Sequence, residues 1–167
     1  MCEDEFHTFL NTSTPRPDIT EWTIGNNTPD TRVNGSPISN FFTDSGQVTI
    51  RLKNTFGTCI QTTSRTVTIQ PRPKIDGFIL ETAGRCGAPD SIRLRDTTAT
   101  AVRWEWRSDF NFNTFSTQQR ASIFAPANRN YPFSLTIANA QGCTQMAFKS
   151  ITLEGPFARI LLKSSTS

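Results

Sequence analysis

The chain has 167 residues, 17 of them Lys or Arg and 14 Asp or Glu, for a net charge of +3, and 35% are hydrophobic. That apolar share is thin for one large core but adequate for two small ones. Ten Pro, nine Gly and only two Met, amid abundant Thr and Ser, describe short strands and turns rather than amphipathic helices. No apolar run approaches the roughly 18 residues that cross a bilayer as a helix, and "CEDEF" after Met1 is no basic-then-apolar leader, so this segment is expected neither to insert in a membrane nor to export itself.

In chain order, "EFHTFLN" (5–11), "ITEWTIGNN" (19–27), "FFTDSGQVTIRLKN" (41–54) and "RTVTI" (65–69) alternate apolar and polar residues, the period of half-buried strands. "PRPK" (71–74), with two prolines that resist helix and central strand alike, reads as a short stiff joint. Beyond it come "IDGFILET" (75–82), Ile92 and Leu94 between arginines, Val102, Trp104 and Trp106 between charges, then Phe133, Leu135 and Ile137 between polar residues, and "KSITL" (149–153). The cysteines expose a repeat: 59 − 2 = 57 and 143 − 86 = 57, so the period is 86 − 2 = 84. Trp22 then falls on Trp106, "RTVTI" on "KSITL", and Thr12-Ser13-Thr14 on Asp96-Thr97-Thr98. "VTIRLKN" matches "FSLTIAN" at 133 − 48 = 85, and the register returns because "GTC" is one residue longer than "GC", an insertion expected in a hairpin turn. The expected organisation is a first domain over 1–70 lacking its first strand, a linker over 71–74, a second domain over 75–154, and in 155–167 a linker and the start of a third copy, whose Phe157, Ile160, Leu161 and Leu162 belong to a further sheet.

Chemistry-bearing residues are few. His7 is the only histidine and is expected exposed on a strand; Glu3, Asp4 and Glu5 form a short acidic run expected to be a solvated turn. No nucleophile motif and no closely spaced cysteine pair appears, so neither catalysis, nor a cofactor, nor a metal site is expected. Trp22 and Trp106 are expected in the core. Trp104 has Thr20 as its counterpart, and with Phe110, Phe112 and Phe115 of "SDFNFNTFST" (108–117) it marks the expected partner surface, since apolar side chains on a loop are costly to leave wet. Arg93 and Arg95 fall on one strand and Arg103 and Arg107 on the next, which belongs to the opposite sheet, so no coherent basic face and no nucleic-acid binding is expected. Asn11-Thr12-Ser13 and Asn26-Asn27-Thr28 fit the N-glycosylation triplet.

Taken together, "ITEWTIGNN", "FFTDSGQVTIRLKN" and "RTVTI" resemble the polycystic-kidney-disease (PKD) repeat, an immunoglobulin-like sandwich found in tandem in large bacterial surface and secreted proteins. Thr23-Ile24-Gly25-Asn26 replace the acidic turn of that family, and Arg107-Ser108-Asp109-Phe110 depart further, so no function of that turn carries over. The resemblance implies two tandem all-β sandwiches and a non-catalytic spacer, stalk and adhesion role outside the cell. Neighbouring repeats, and surface glycans or proteins, are the implied partners. The contrasting implication is a carbohydrate-binding accessory module of a secreted polysaccharide-degrading enzyme. It also implies a disulfide pattern. The cysteine before the second strand and that after the sixth sit at opposite ends of one sandwich, so Cys2 is expected to bond Cys143 across the joint, leaving Cys59 and Cys86 for flanking repeats. The alternative is Cys2–Cys59 and Cys86–Cys143 within each domain. A loop of 143 − 2 = 141 residues corresponds to about 5 kcal/mol in the chain-entropy account, an upper figure, and requires an oxidising compartment.

Overall fold

The computed structural model describes residues 1–75, 77–84, 87–108 and 113–155. It divides into two compact units, Met1–Arg72 and Pro73–Ser167. The first holds β1 (Glu5–Phe9), β2 (Ile19–Ile24), β3 (Asp30–Val33), β4 (Ile38–Phe42), β5 (Gly46–Phe56) and β6 (Cys59–Ile69). The second holds β7 (Ile79–Thr82), β8 (Asp90–Arg95), β9 (Arg103–Ser108), β10 (Thr114–Ser116), β11 (Arg120–Ala125), β12 (Asn130–Ala138) and β13 (Thr144–Thr152). All ladders are antiparallel. Unit one pairs β1 with β4 and orders its other sheet β3-β2-β5-β6; unit two orders its sheets β11-β8-β7 and β10-β9-β12-β13. Both are immunoglobulin-like sandwiches.

The repeat is visible strand by strand, because β9 opens at 103 − 19 = 84 residues after β2 and β12 at 130 − 46 = 84 after β5. The first strands break that register. Ser13 N–H donates to Asn11 Oδ1, and Thr98 N–H makes the same bond to Asp96 Oδ1, so these turns superpose at 96 − 11 = 85, one residue off the expected match of Thr12 with Asp96. The last hairpin overturns the expected insertion in the first copy: Trp22 pairs Leu52 and Trp106 pairs Leu135, an offset of 135 − 52 = 83 rather than 85, and the turn is longer in the second copy. In the first copy β5 and β6 pair out to Phe56 and Cys59 around Gly57 at φ 56°, where glycine avoids a Cβ clash, whereas β12 and β13 part at Ala138 and Thr144.

Alternation puts one face of each strand inside. In unit two the inner faces of β8, β9 and β12 bury Ile92, Leu94, Trp106, Leu135 and Ile137 completely or nearly so, each side chain worth about 1.5–3 kcal/mol. Phe78, just ahead of β7, meets the Trp106 ring edge-on at 5.0 Å. The Trp106 indole N–H donates to the Gln118 carbonyl at 2.8 Å, and Trp22 reaches Ser36 O in unit one at 3.2 Å, so each buried indole has its one donor satisfied. At the start of β12 the Tyr131 hydroxyl donates to Ala127 O and accepts from Ala127 N–H, a corner that pins the incoming loop.

The edge-on contact predicts that Phe78→Ala destabilises unit two by about 3–5 kcal/mol. Urea unfolding followed by tryptophan fluorescence should show one component moving to lower urea. Met146→Ala, on an exposed side chain, should move neither component by more than about 0.5 kcal/mol.

Candidate functional site: edges and outer faces of the sandwiches

The acidic run and the histidine are structural. Arg72 donates to the carbonyls of Glu3 and Asp4 and to Glu5 Oε1, while its own backbone N–H donates to Glu3 Oε1, tying the start of unit one to its end. The expected solvated turn is therefore a clasp. His7 is half-buried rather than exposed, because it falls on the inner face of β1: its ring lies 5.9 Å from that of Phe42 and its Nε2–H donates to Cys2 O at 2.9 Å. Among the described residues no three His, Cys, Asp or Glu side chains group as metal ligands.

The recurring Asn before Gly and Cys serves two purposes. Asn139 Oδ1 accepts from the N–H groups of Gln141 and Cys143, shaping the β12–β13 turn from within. Asn54 faces inward instead, accepting from Asn11 Nδ2 and Thr20 Oγ1 and donating to Ser13 Oγ. The Asn11 amide nitrogen, also bonded to Thr20 Oγ1, is thus committed to this network and is not free to carry a glycan. In unit two Asp96, fully buried, takes the place of Asn11 and accepts the Trp104 indole N–H at 2.8 Å.

Trp104 therefore points inward, half-buried against the core of unit two, and Phe115 does likewise, its ring 6.2 Å from Phe133. Phe110, Phe112 and Cys86 lie outside the described residues. The exposed large apolar side chains are elsewhere: Phe6 and Leu10 with Phe41 in unit one, and Phe124 and Phe148 in unit two.

Cys2 and Cys143 each take part in a disulfide, and Cys59 carries an exposed free thiol. Cys2 bridges Gln70, just past the end of β6, whereas Cys59 opens that strand. At about 3.3 Å per residue the two lie about 36 Å apart, far beyond the roughly 7 Å between Cα atoms that a disulfide spans.

Two features remain without a structural task. The first is a groove of about 470 Å³ in unit one, lined by Phe9, Trp22, Ile50, Leu52 and Val67 with Arg65 at its rim. In unit two the matching space is filled by 77–82: Phe78 covers Trp106, Leu80 pairs with Leu94, and Lys149, the counterpart of Arg65, donates to Phe78 O. The second is the outer face of β11-β8-β7. Arg93 and Arg95 alternate with buried Ile92 and Leu94, and the register sets Arg120 directly opposite Arg95 and Ser122 opposite Arg93. On the other side Glu81 faces Arg93 and Ile79 faces Arg95. Like charges facing across a ladder cost a few tenths of a kcal/mol or more. None of the three guanidinium groups has a hydrogen-bond or ion-pair partner among the described residues, whereas Arg32 and Arg107 each grip a carboxylate.

No protein-family model and no curated protein matches the chain. A solved structure, the C-terminal 282-residue fragment of intimin in complex with the intimin-binding domain of the translocated intimin receptor, is similar over 89% of this chain and 57% of that one, with 13% identity and a TM-score of 0.48. The chain spans less than two thirds of that fragment.

Beside the expected partner loop, Glu105 accepts from Thr114 and from Arg107, and these bonds, Thr114 first, hold its carboxyl below the ordinary glutamate range. A depressed folded-state pKa stabilises above the unfolded carboxylate range and loses that contribution as pH falls through the folded value. With the side chain 37% exposed, solvent screening limits the effect to a few tenths of a kcal/mol. Glu105→Gln should lower the urea midpoint slightly at pH 7, and the gap from the parent chain should close as the pH falls to about 3.

Proposed function

We propose that this chain is a section of a tandem array of PKD-type immunoglobulin-like domains, a non-catalytic spacer and adhesion segment of a large exported bacterial surface protein. The groove in unit one carries the reading. A sandwich with an apolar groove along one edge, lined by Trp22, Ile50 and Leu52, has the shape and chemistry of a module completed by an extended apolar strand, and unit two displays such a strand in Ile79–Thr82, with Phe78 just ahead of it. Strands of up to 11 residues, at about 3.3 Å each, give modules near 36 Å tall. Stacked end to end through short proline joints, such modules hold a terminal binding surface away from the cell. The contrasting reading, an accessory carbohydrate-binding module, calls for an exposed aromatic row, and Trp104 and Phe115 face inward instead.

The joint is proposed to be stapled by a Cys2–Cys143 bond. Both cysteines are oxidised while Cys59 is free, and each lies at the linker end of its own unit. Cys2 adjoins Gln70 where β6 gives way to Pro71, and Cys143 closes the β12–β13 turn, at the end where β8 stops and Ile79 starts β7 beside Arg95. Such a bond fits an oxidising compartment and a chain that resists bending under load.

Two measurements test this. Peptide mapping without reduction should recover a linked Cys2–Cys143 peptide and an alkylatable Cys59; linked Cys2–Cys59 or Cys86–Cys143 peptides refute the staple. A synthetic peptide of residues 75–82, titrated into the full chain, should shift the amide signals of β1 and the Trp22 indole, and the same peptide with alanine for Phe78 should not. No shift at millimolar peptide overturns the open-groove reading.

A further inference from the structure

We infer that the outer face of β11-β8-β7 is a binding site for an acidic polysaccharide, with Arg93, Arg95 and Arg120 as the anion-holding residues. The site stands on unit two alone and does not depend on the array reading. The fold does not require these arginines. At the matching positions of unit one, 93 − 8 = 85 and 95 − 10 = 85, Thr8 stands on the outer face of β1 and exposed Leu10 just past its end, and the partner strand β4 exposes Ser39 and Phe41. The same sandwich is built there without a charge on that face. In unit two, by contrast, three cations sit on adjacent strands and none is neutralised within the described structure.

Their spacing selects the ligand. Cross-strand neighbours are about 5 Å apart and alternate residues on one strand about 6.7 Å, so the three guanidinium groups span a triangle the size of one or two sugar residues. Each guanidinium presents a planar fork of donors that matches a carboxylate or a sulfate in two-point fashion. Above them Ser122 supplies a hydroxyl, and Phe124, 65% exposed and paired with Ser91, offers a flat apolar surface for the C–H face of a sugar ring. The shallow depression over this face, about 580 Å³, accommodates a chain lying across it. A nucleic acid needs a longer basic track than three side chains. Among the described residues Glu81, opposite Arg93, is the one carboxylate lining this depression, and it opposes the ligand.

The test uses the full chain in affinity electrophoresis and calorimetry at low salt against polygalacturonate for the carboxylate source, dextran sulfate for the sulfate source, unmodified dextran, and a 20-residue oligothymidylate. Binding to at least one charged polysaccharide, with none to unmodified dextran, is expected, and the tighter of the two names the anion. The triple variant R93Q/R95Q/R120Q should lose at least about tenfold in affinity, a change of 1.4 kcal/mol. A control triple variant R16Q/R51Q/K74Q removes the same three charges, bringing the net charge from +3 to 0 in either case, and should bind as the parent does. Glu81→Gln should tighten binding by about two- to threefold, a gain that no folding defect mimics. Equal losses in both triple variants, equal binding to unmodified dextran, or tighter binding to the oligonucleotide than to either polysaccharide overturns the proposal.

Discussion

Sealing one tryptophan governs how each sandwich is built. An indole between two sheets needs a hydrogen-bond partner for its N–H and apolar cover on every side, and unit two supplies both: Gln118 O for the donor, Phe78 edge-on for the cover, Leu135 and Ile137 beneath. The cover comes from outside the hairpins, from a strand that precedes the rest of the sandwich and joins its smaller sheet. Unit one has the indole, the acceptor at Ser36 O and the strands that frame them, yet within the described residues its β1 pairs only with β4. The difference between the two copies is therefore a difference in how the same cavity is closed.

The same constraint explains the polar interiors. Where an aromatic ring does not fill the end of the sandwich, Asn11, Thr20 and Asn54 bond to one another with Thr20 fully buried. Where Trp104 replaces Thr20, a buried Asp96 accepts a hydrogen bond from the indole N–H and another from the Thr98 hydroxyl at its other oxygen. Both arrangements satisfy their main donors internally, which is what lets polar side chains sit at these depths. They are alternative solutions to one packing problem.

Much of this was legible in the residues. The cysteine spacing revealed the repeat, and alternation located most strands because a half-buried strand must alternate. The match of "VTIRLKN" with "FSLTIAN" misled, because the register places Leu52 of β5 against Trp22 and Leu135 of β12 against Trp106, an offset of 135 − 52 = 83. What escaped was anything that depends on partner register. His7 reads as exposed until β1 is known to turn it onto Phe42, and Glu3 to Glu5 read as solvated until Arg72, 67 residues beyond Glu5, closes on them. Trp104 and Phe115 look like surface additions because their inward anchors, Asp96 and Phe133, lie in other strands. The arginine face failed in the same way: Arg93 and Arg95 were visible on one strand, but Arg120 joins them only through the β8–β11 register.

Duplicated sandwiches divide constraint from freedom in a physically transparent manner. Inward positions of the two copies hold to one pattern because packing density penalises any change of volume, and where a side chain does change, as with Thr20 and Trp104, its polar partner changes with it. Outward positions carry no such penalty. On the outer face of the smaller sheet, Thr8 and Leu10 can stand where Arg93 and Arg95 stand without disturbing the fold. A like-charged triad persisting on that face opposes the stability of its own ladder, so its explanation has to be sought in what meets the surface from solution. Two copies of one sandwich can thus keep a common interior and differ on one exposed sheet face, and unit two places three arginines without a partner among the described residues on such a face.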